Sequence, residues 1–469
     1  MVDLYGYNHL IVPSQYQING RRAVTIARSI EAGITSAELA PGELLPPIRE
    51  LADALGVSPG TVAAAYRLLG QRGLTTSDRR RGTRVRPWYA ETARPAAAPR
   101  APSPQSFAPE RAADLASGNP DPTLLPDLSP ILERLDHVPA RYGGPQLDGR
   151  LAAVARRQLE SDGVPVPALA CSFGALDGIR RVLTTSLRHG DRVAVEDPGW
   201  PSLLDGIRRL GFAPVPTELD DEGLLPSSLW DALAAGAKAV IITSRAQNPT
   251  GAASAPGRAV EIAALIARYP GTLLLEDDHG HAIADPDEPL HSVIAASGSP
   301  PGPWAFVRSS AKAYGPDLRV AVVAGDPTTV GRVELDVASS AGWVSHLNQQ
   351  IVATLWTDED VGRLVRKAAE LYRERRHALV AALRALGVQA HGKTGLNVWI
   401  PLPAAPSIDE ASIVADVMAG GWRVAAGAGS RLVSGPAVRV TTAALDPGDA
   451  PEVAGLIARA IERPAGRGY

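Results

Sequence analysis

The chain has 469 residues, 45% apolar and 21% charged, with a net charge of −3. That length calls for two or three domains, and the composition is that of a globular protein rather than a disordered or disulfide-stapled one. No apolar run reaches the roughly 20 residues a membrane span needs, no basic-then-apolar leader opens the sequence, and a single cysteine, Cys171, allows no internal disulfide. The expectation is a cytoplasmic protein with no membrane partner, in which Cys171 is a small buried apolar residue.

Charge is unevenly spread. Residues 1–86 carry 11 Arg and 7 Asp or Glu, a net of +4, which leaves −7 for the rest. Between Arg72 and Arg86 six arginines meet one acid, Asp78. A basic head on an acidic body suits a DNA-binding module joined to a larger sensor.

In chain order, Val24, Ile26, Ala27, Ile30 and Ile34 recur at helical spacing from Arg21 to Ile34. Pro46-Pro47 opens a second helix with Ile48, Leu51, Ala52 and Leu55 as its inner face and Gly56 as its stop. Ser58 caps a third, with Pro59 at its first position and Val62, Ala65, Tyr66 and Leu69 inward. Helix, short break, helix is helix-turn-helix spacing. The next segment, SDRRRGTRVRP, reads as two short strands turning at Gly82. Thr61, Ala64 and Arg67 then face outward on the third helix, and Arg79, Arg80, Arg81 and Arg84 lie on a wing that can reach phosphates of double-stranded DNA.

Residues 87–112 are rich in Pro and Ala with almost no large apolar side chains, the composition of a semi-rigid linker. From 113 onward helical patterns alternate with short apolar strands (DRVAVED, AVIIT, TLLLEDD, WAFVRS, VAVVAG), which predicts an α/β domain on a mainly parallel sheet, with active-site loops at the strand ends.

The strand ends carry a consistent set of groups. Of four lysines, only Lys312 lies just past an apolar strand; Ser309 precedes it by three residues and Arg319 follows by seven. Asp277 ends another strand, Asn248 follows a third in QNPTG, and Trp200 a fourth in EDPGWP. Gly174, Ala175 and Leu176 open a helix whose amides can cradle a phosphate. A covalent lysine, an acid for a ring nitrogen, a donor for a ring oxygen, a flat stacking partner and a phosphate cradle are what pyridoxal 5′-phosphate (PLP) needs from a protein. His279 and His281 stand two apart without a third ligand in view, so no metal site is expected.

With these motifs in order (PGELLPPIRELADALGVSPGTVAAAYRLLGQRGL with GTRV, then SGNPDP, YGG, EDPGW, NPTG, EDDH, SSAK with its later Arg, and GPAVRV) the chain resembles the MocR/GabR regulators, a GntR-type winged helix fused to a fold-type I aminotransferase domain. SGNPDP, QNPTG, EDDH and GPDLR look most like the PtsJ-type subgroup, which is associated with vitamin B6 metabolism. The resemblance implies a winged helix over 19–86, the linker over 87–112, and over 113–463 a PLP-binding α/β domain with a smaller C-terminal α+β part. It implies Arg439 as the binder of a ligand carboxylate, Tyr142 as a contact to the cofactor phosphate of a partner subunit, and a head-to-tail homodimer. Two departures stand out: His279 replaces a tyrosine near the ring oxygen, and Ala311 replaces a common serine before the lysine. The function so implied is a PLP-dependent transcription regulator that senses PLP or an amine or amino-acid effector. The alternative is a working aminotransferase, with Lys312 and Asp277 catalytic.

Overall fold

The computed structural model describes residues 16–36, 38–40, 42–71, 74–78, 82–85, 114–136, 141–298, 300–403 and 409–462. The linker stretch 87–112 and the wing residues Arg79, Arg80 and Arg81 lie outside them. Two compact units meet in sequence between Phe107 and Ala108.

The N-terminal unit consists of α1 (Ala23–Thr35), α2 (Ile48–Leu55), α3 (Pro59–Gln71), β1 (Thr75–Asp78) and β2 (Gly82–Val85). Ile26, Ala27 and Ile30 of α1, Leu51 and Ala52 of α2, and Val62, Ala65, Tyr66 and Leu69 of α3 close one apolar core. Gly56 ends α2 in the left-handed region at φ 63°, and Ser58 Oγ accepts the Thr61 amide at 3.2 Å. A left-handed stop followed by a hydroxyl cap is the local chemistry of a tight turn between two helices.

Two expectations are corrected here. Val24 is 46% exposed, because two residues before Ile26 lies roughly 200° around a helix from it. Ile48 is also exposed; it lines an open groove with Pro46, Arg49, Tyr66 and Arg67 instead of entering the core. The two expected wing strands are present, and Gly82 opens the second at φ 78°, paired with Asp78. Residues 43–45 add a third segment to the wing sheet: Val85 N donates to Glu43 O and Leu45 N to Thr83 O, both within 2.9 Å.

The larger unit is built on a seven-stranded sheet. Its strands are β3 (Ala168–Ser172), β4 (Arg192–Glu196), β5 (Ala213–Thr217), β8 (Ala239–Thr243), β9 (Leu273–Asp278), β10 (Trp304–Ser309) and β11 (Ala321–Gly325), in the order β3-β11-β10-β9-β8-β4-β5. A small hairpin, β6 (Leu219–Asp220) and β7 (Gly223–Leu224), stands apart. Only β11 runs against its neighbours β10 and β3. Strands β8 to β11 are buried along their whole length, which is why they read as unbroken apolar runs: helices cover both faces. No described helix is long and apolar enough to cross a membrane.

The smaller C-terminal part has an antiparallel sheet of β12 (Asn397–Pro401), β14 (Ala437–Thr441) and β13 (Ala425–Ala426), packed with the helices Glu359–Ala385, Glu410–Ala419 and Ala450–Glu462. It is tied to the large sheet at two places. Asp197, just past β4, accepts the amides of Leu432, Val433 and Ser434, each at 2.8 Å. Arg376 on the long helix is fully buried. Its guanidinium meets both oxygens of Asp285 at 2.7 Å and the carbonyls of Gly392 and Gly395. A buried charge so saturated is tolerable only while every partner is present. Arg376→Met should therefore lower stability by about 3–5 kcal/mol, read as an earlier midpoint in urea unfolding; an unchanged midpoint would show that the cluster carries little of the fold.

Candidate functional site

Because β3, β4, β8, β9 and β10 are parallel, their C-terminal ends lie along one edge of the sheet, where α/β sheets bind their ligands. The loops after these ends bring together residues more than 250 positions apart in sequence: Gly174, Trp200, Asn248, Asp277, Lys312 and, from β14, Arg439.

Asp277 and Asp278 are neighbours with opposite surroundings, since successive side chains on a strand point to opposite faces. Asp278 is fully buried between two arginines: Arg245 contacts both its oxygens at 2.8 and 3.0 Å, and Arg308 Nε donates at 2.7 Å. Burial would raise its pKa, but the two guanidinium charges overcome that and hold it well below the carboxylate range. On the other face Asp277 Oδ2 contacts His279 Nδ1 at 3.0 Å, while its Oδ1 is buried without a partner. An orphaned carboxylate oxygen in a protein interior is costly and marks a place for a donor.

Lys312 sits in the short helix Ala311–Tyr314 that follows β10. Its Nζ donates to Gly118 O at 2.6 Å. Burial first, and the Arg439 charge second, lower its pKa to about 8. Arg439 donates to Ala116 O at 2.5 Å and to Asn248 Oδ1 at 3.2 Å, and its Nε is buried without a partner. The backbone of residues 116–118 thus lies on both cations, anchored on one side by Leu115, whose amide bonds Arg423 O, and on the other by Asp121, paired with Arg375 at 2.8 Å.

Gly174 caps the helix Ala175–Ser186 at φ 93°. A Cβ there would come within 3.2 Å of the Arg319 guanidinium, which also donates to Phe173 O. The free amides of that helix start, the Arg319 fork and the nearby Gly174 leave a cradle that a side chain would fill. Ser309 is buried and accepts the Ala311 amide at 3.2 Å. Trp200 is half-buried, its ring 6.3 Å from that of His279. Beneath Asn248, Glu196 accepts Thr243 N and Gln247 Nε2, fixing the base of the loop; its burial pushes its pKa up to about 7.

Some expected residues lie elsewhere. Tyr142 is 93% exposed, edge-on to Trp343, and among the described residues bonds none of the groups around Lys312. His279 lies between Asp277 Oδ2 and the Ala246 carbonyl, beside Trp200. In the N-terminal unit Arg67 is exposed, Thr61 shares its hydroxyl with Ser58, and Arg84 is hooked to Gly42 O at 3.0 Å. His281 contacts Arg245, and no three His, Cys, Asp or Glu side chains converge among the described residues. Sequence reading missed Arg245, Arg308, Glu196 and Gln247, whose roles are wholly tertiary; it quoted SGNPDP without seeing that its backbone meets the two cations.

Residues 136–457 match the family model of aminotransferase class I and II, and residues 22–85 that of bacterial regulatory proteins, gntR family. The vitamin B6 salvage pathway transcriptional repressor PtsJ of Salmonella typhimurium is 38% identical over 82% of this chain and 86% of its own. The pyridoxine biosynthesis transcriptional regulator PdxR of Corynebacterium glutamicum is 27% identical over 75% of each. Among solved structures, a kynurenine aminotransferase of Pyrococcus horikoshii aligns with a TM-score of 0.68 at 20% identity, over 74% of this chain and 90% of that one. LysN, an α-aminoadipate aminotransferase of Thermus thermophilus, aligns with a TM-score of 0.64 at 20% identity, over 74% and 92%. At such identities the likeness is one of fold.

A lysine with a pKa of about 8 carries free amine at a pH where ordinary lysines do not. Labelling of Lys312 by an amine-directed reagent, followed by mass spectrometry across pH, should reach half its maximal rate near pH 8. Arg439→Gln removes a repelling cation and should move that midpoint upward; a downward or absent shift would reject the coupling.

Proposed function

The chain belongs to the class I and II aminotransferase family and carries a gntR-family module ahead of that domain, and from this premise we propose that it is a PLP-dependent regulator of transcription acting in vitamin B6 metabolism. The observation that carries the reading is the 38% identity, across 82% of this chain, to a transcriptional repressor of a vitamin B6 salvage pathway. A module that binds DNA gives an enzyme no obvious gain, whereas a ligand site joined to it makes a sensor.

The groups present fit the cofactor. Asp277 Oδ1, buried and unpartnered, suits a protonated ring nitrogen. Asn248 suits the ring oxygen, Trp200 the ring face, and the Gly174–Leu176 amides with Ser309 and Arg319 the phosphate. Lys312 supplies the amine for covalent attachment. When bound, PLP contributes an aldehyde reactive towards amines and a ring that accepts electron density. The protein's own part is to orient the ring, lower the amine's pKa to about 8 so that free amine is available well below the usual lysine range, and present Arg439 to a carboxylate.

Sensing follows from residues 116–118. Cofactor attached at Lys312 and an anionic effector at Arg439 both compete with backbone carbonyls for these cations. Ligand binding therefore has differential contacts to offer in two arrangements of this segment, which follows the linker expected over 87–112; such a difference is the requirement for a switch. The exposure of Tyr142 is consistent with its serving a partner subunit in a head-to-tail homodimer, whose two heads would read inverted or direct half-sites.

The same lysine, aspartate and arginine favour a second reading, a working aminotransferase. Footprinting on the DNA flanking the gene, with and without PLP, separates the two: a protected site whose pattern changes with PLP establishes the regulator, and no protection at low salt favours the enzyme. Lys312→Ala should retain the fold and lose the PLP absorption band. Neutralising Arg79, Arg80 and Arg81 should weaken binding and reduce the slope of log affinity against log salt by up to about three; equal binding would remove the wing from the interface.

A further inference from the structure

His279 meets an oxygen at each ring nitrogen. Nδ1 lies 3.0 Å from Asp277 Oδ2 and Nε2 lies 3.0 Å from the Ala246 carbonyl. A backbone carbonyl has no proton to give, and neither has a carboxylate, while a neutral imidazole owns a single N–H. Neutral His279 would therefore set a nitrogen lone pair against an oxygen lone pair in a site where its side chain is only 13% exposed and such repulsion is weakly screened. A proton shared between the two side chains belongs to the more basic one, and imidazole at about 6.5 outranks an aspartate at about 3.9.

The Ala246 end is also unusual. Ala246 has φ 53°, a left-handed conformation costly for a residue with a Cβ. Its methyl is enclosed so tightly that a Cβ on Gly280 would lie 2.8 Å from it and one on Gly395 2.5 Å. From this residue the chain turns to Asn248, which meets Arg439. A bond from His279 thus holds the strained start of the loop that presents Asn248.

We propose that His279 is a permanent imidazolium that clamps the two elements of the pocket, Asp277 at the end of β9 and the Ala246–Asn248 turn, and leaves Asp277 Oδ1 as the free oxygen. His279 is in this sense a positioning residue, replacing by charge what the tyrosine implied by the resemblance would do through a hydroxyl. The charges facing it agree. Burial lowers its pKa, but Asp277 outweighs that through charge and hydrogen bond, Asp278 adds to the rise, and Lys312 opposes it, leaving the group above its ordinary value.

The clamp rests on PLP binding only for its effect on the cofactor, and two measurements keep the parts separate. In the PLP-free full chain with ¹⁵N-labelled histidine, His279→Gln identifies the resonances of His279. Both nitrogens should carry protons at pH 7.5; one protonated and one bare nitrogen there would overturn the proposal. In the PLP-loaded chain, His279→Gln, which is neutral, should raise the pH midpoint of the cofactor absorption band, because a cation facing the Lys312 nitrogen has been removed. His279→Ala should in addition weaken PLP binding on the order of tenfold, the loss expected for a charged hydrogen bond. Unchanged midpoint and affinity in both variants would reject the clamp. A wild-type chain that binds no PLP would overturn the cofactor reading while the nitrogen shifts still decide the charge of His279.

Discussion

Asp278 is held from two sides by Arg245 and Arg308, all three withdrawn from water. An isolated charge at that depth would be prohibitive, and losing Asp278 would leave Asp162 to hold the two guanidinium groups. The arrangement therefore locks the end of β9. Since the next side chain along a strand must face the opposite way, the lock also aims Asp277 into the pocket. The placement of Asp277, the position of His279 beside it and the open oxygen that a ring nitrogen can use all depend on which of two adjacent aspartates is tied down.

The charges that remain in the pocket are mainly positive. Lys312 and Arg319 come from the connection between β10 and β11 and Arg439 from β14, and the satisfied acids Glu196 and Asp197 are spent on backbone amides instead of on these cations. A site of this kind favours anionic groups, because low dielectric strengthens each pairing. The chain offers its own carbonyls in the meantime: Ala116 and Gly118 occupy the donors with partial charges that a carboxylate or a covalent partner can displace. The segment is held at Leu115 and Asp121, so displacement is confined to the few residues between.

The head shows the same economy on a smaller scale. Its core is closed by α1, α2 and α3, and its wing gains a third segment from residues 43–45. Backbone pairing, independent of side-chain identity, is why that segment could not be read in advance: Glu43-Leu44-Leu45 carries neither strand alternation nor length. Ile48 was misplaced for a related reason. Helical periodicity gives a face, but the first turn of a helix often overhangs the core it serves.

What the sequence determined by itself was set by local chemistry and by order. The turn between α2 and α3 follows from Gly56, Ser58 and Pro59; the parallel sheet follows from buried apolar runs alternating with helices; and residues that follow separate strands come together because parallel strands deliver their ends to one edge. Tertiary structure alone decided the remainder. It tied down Asp278 through arginines 30 and 33 residues away in sequence, set the His279 ring between two oxygens, and laid residues 116–118 on Lys312 and Arg439. These are matters of distance and desolvation, and neither quantity exists until chain segments remote in sequence have packed together.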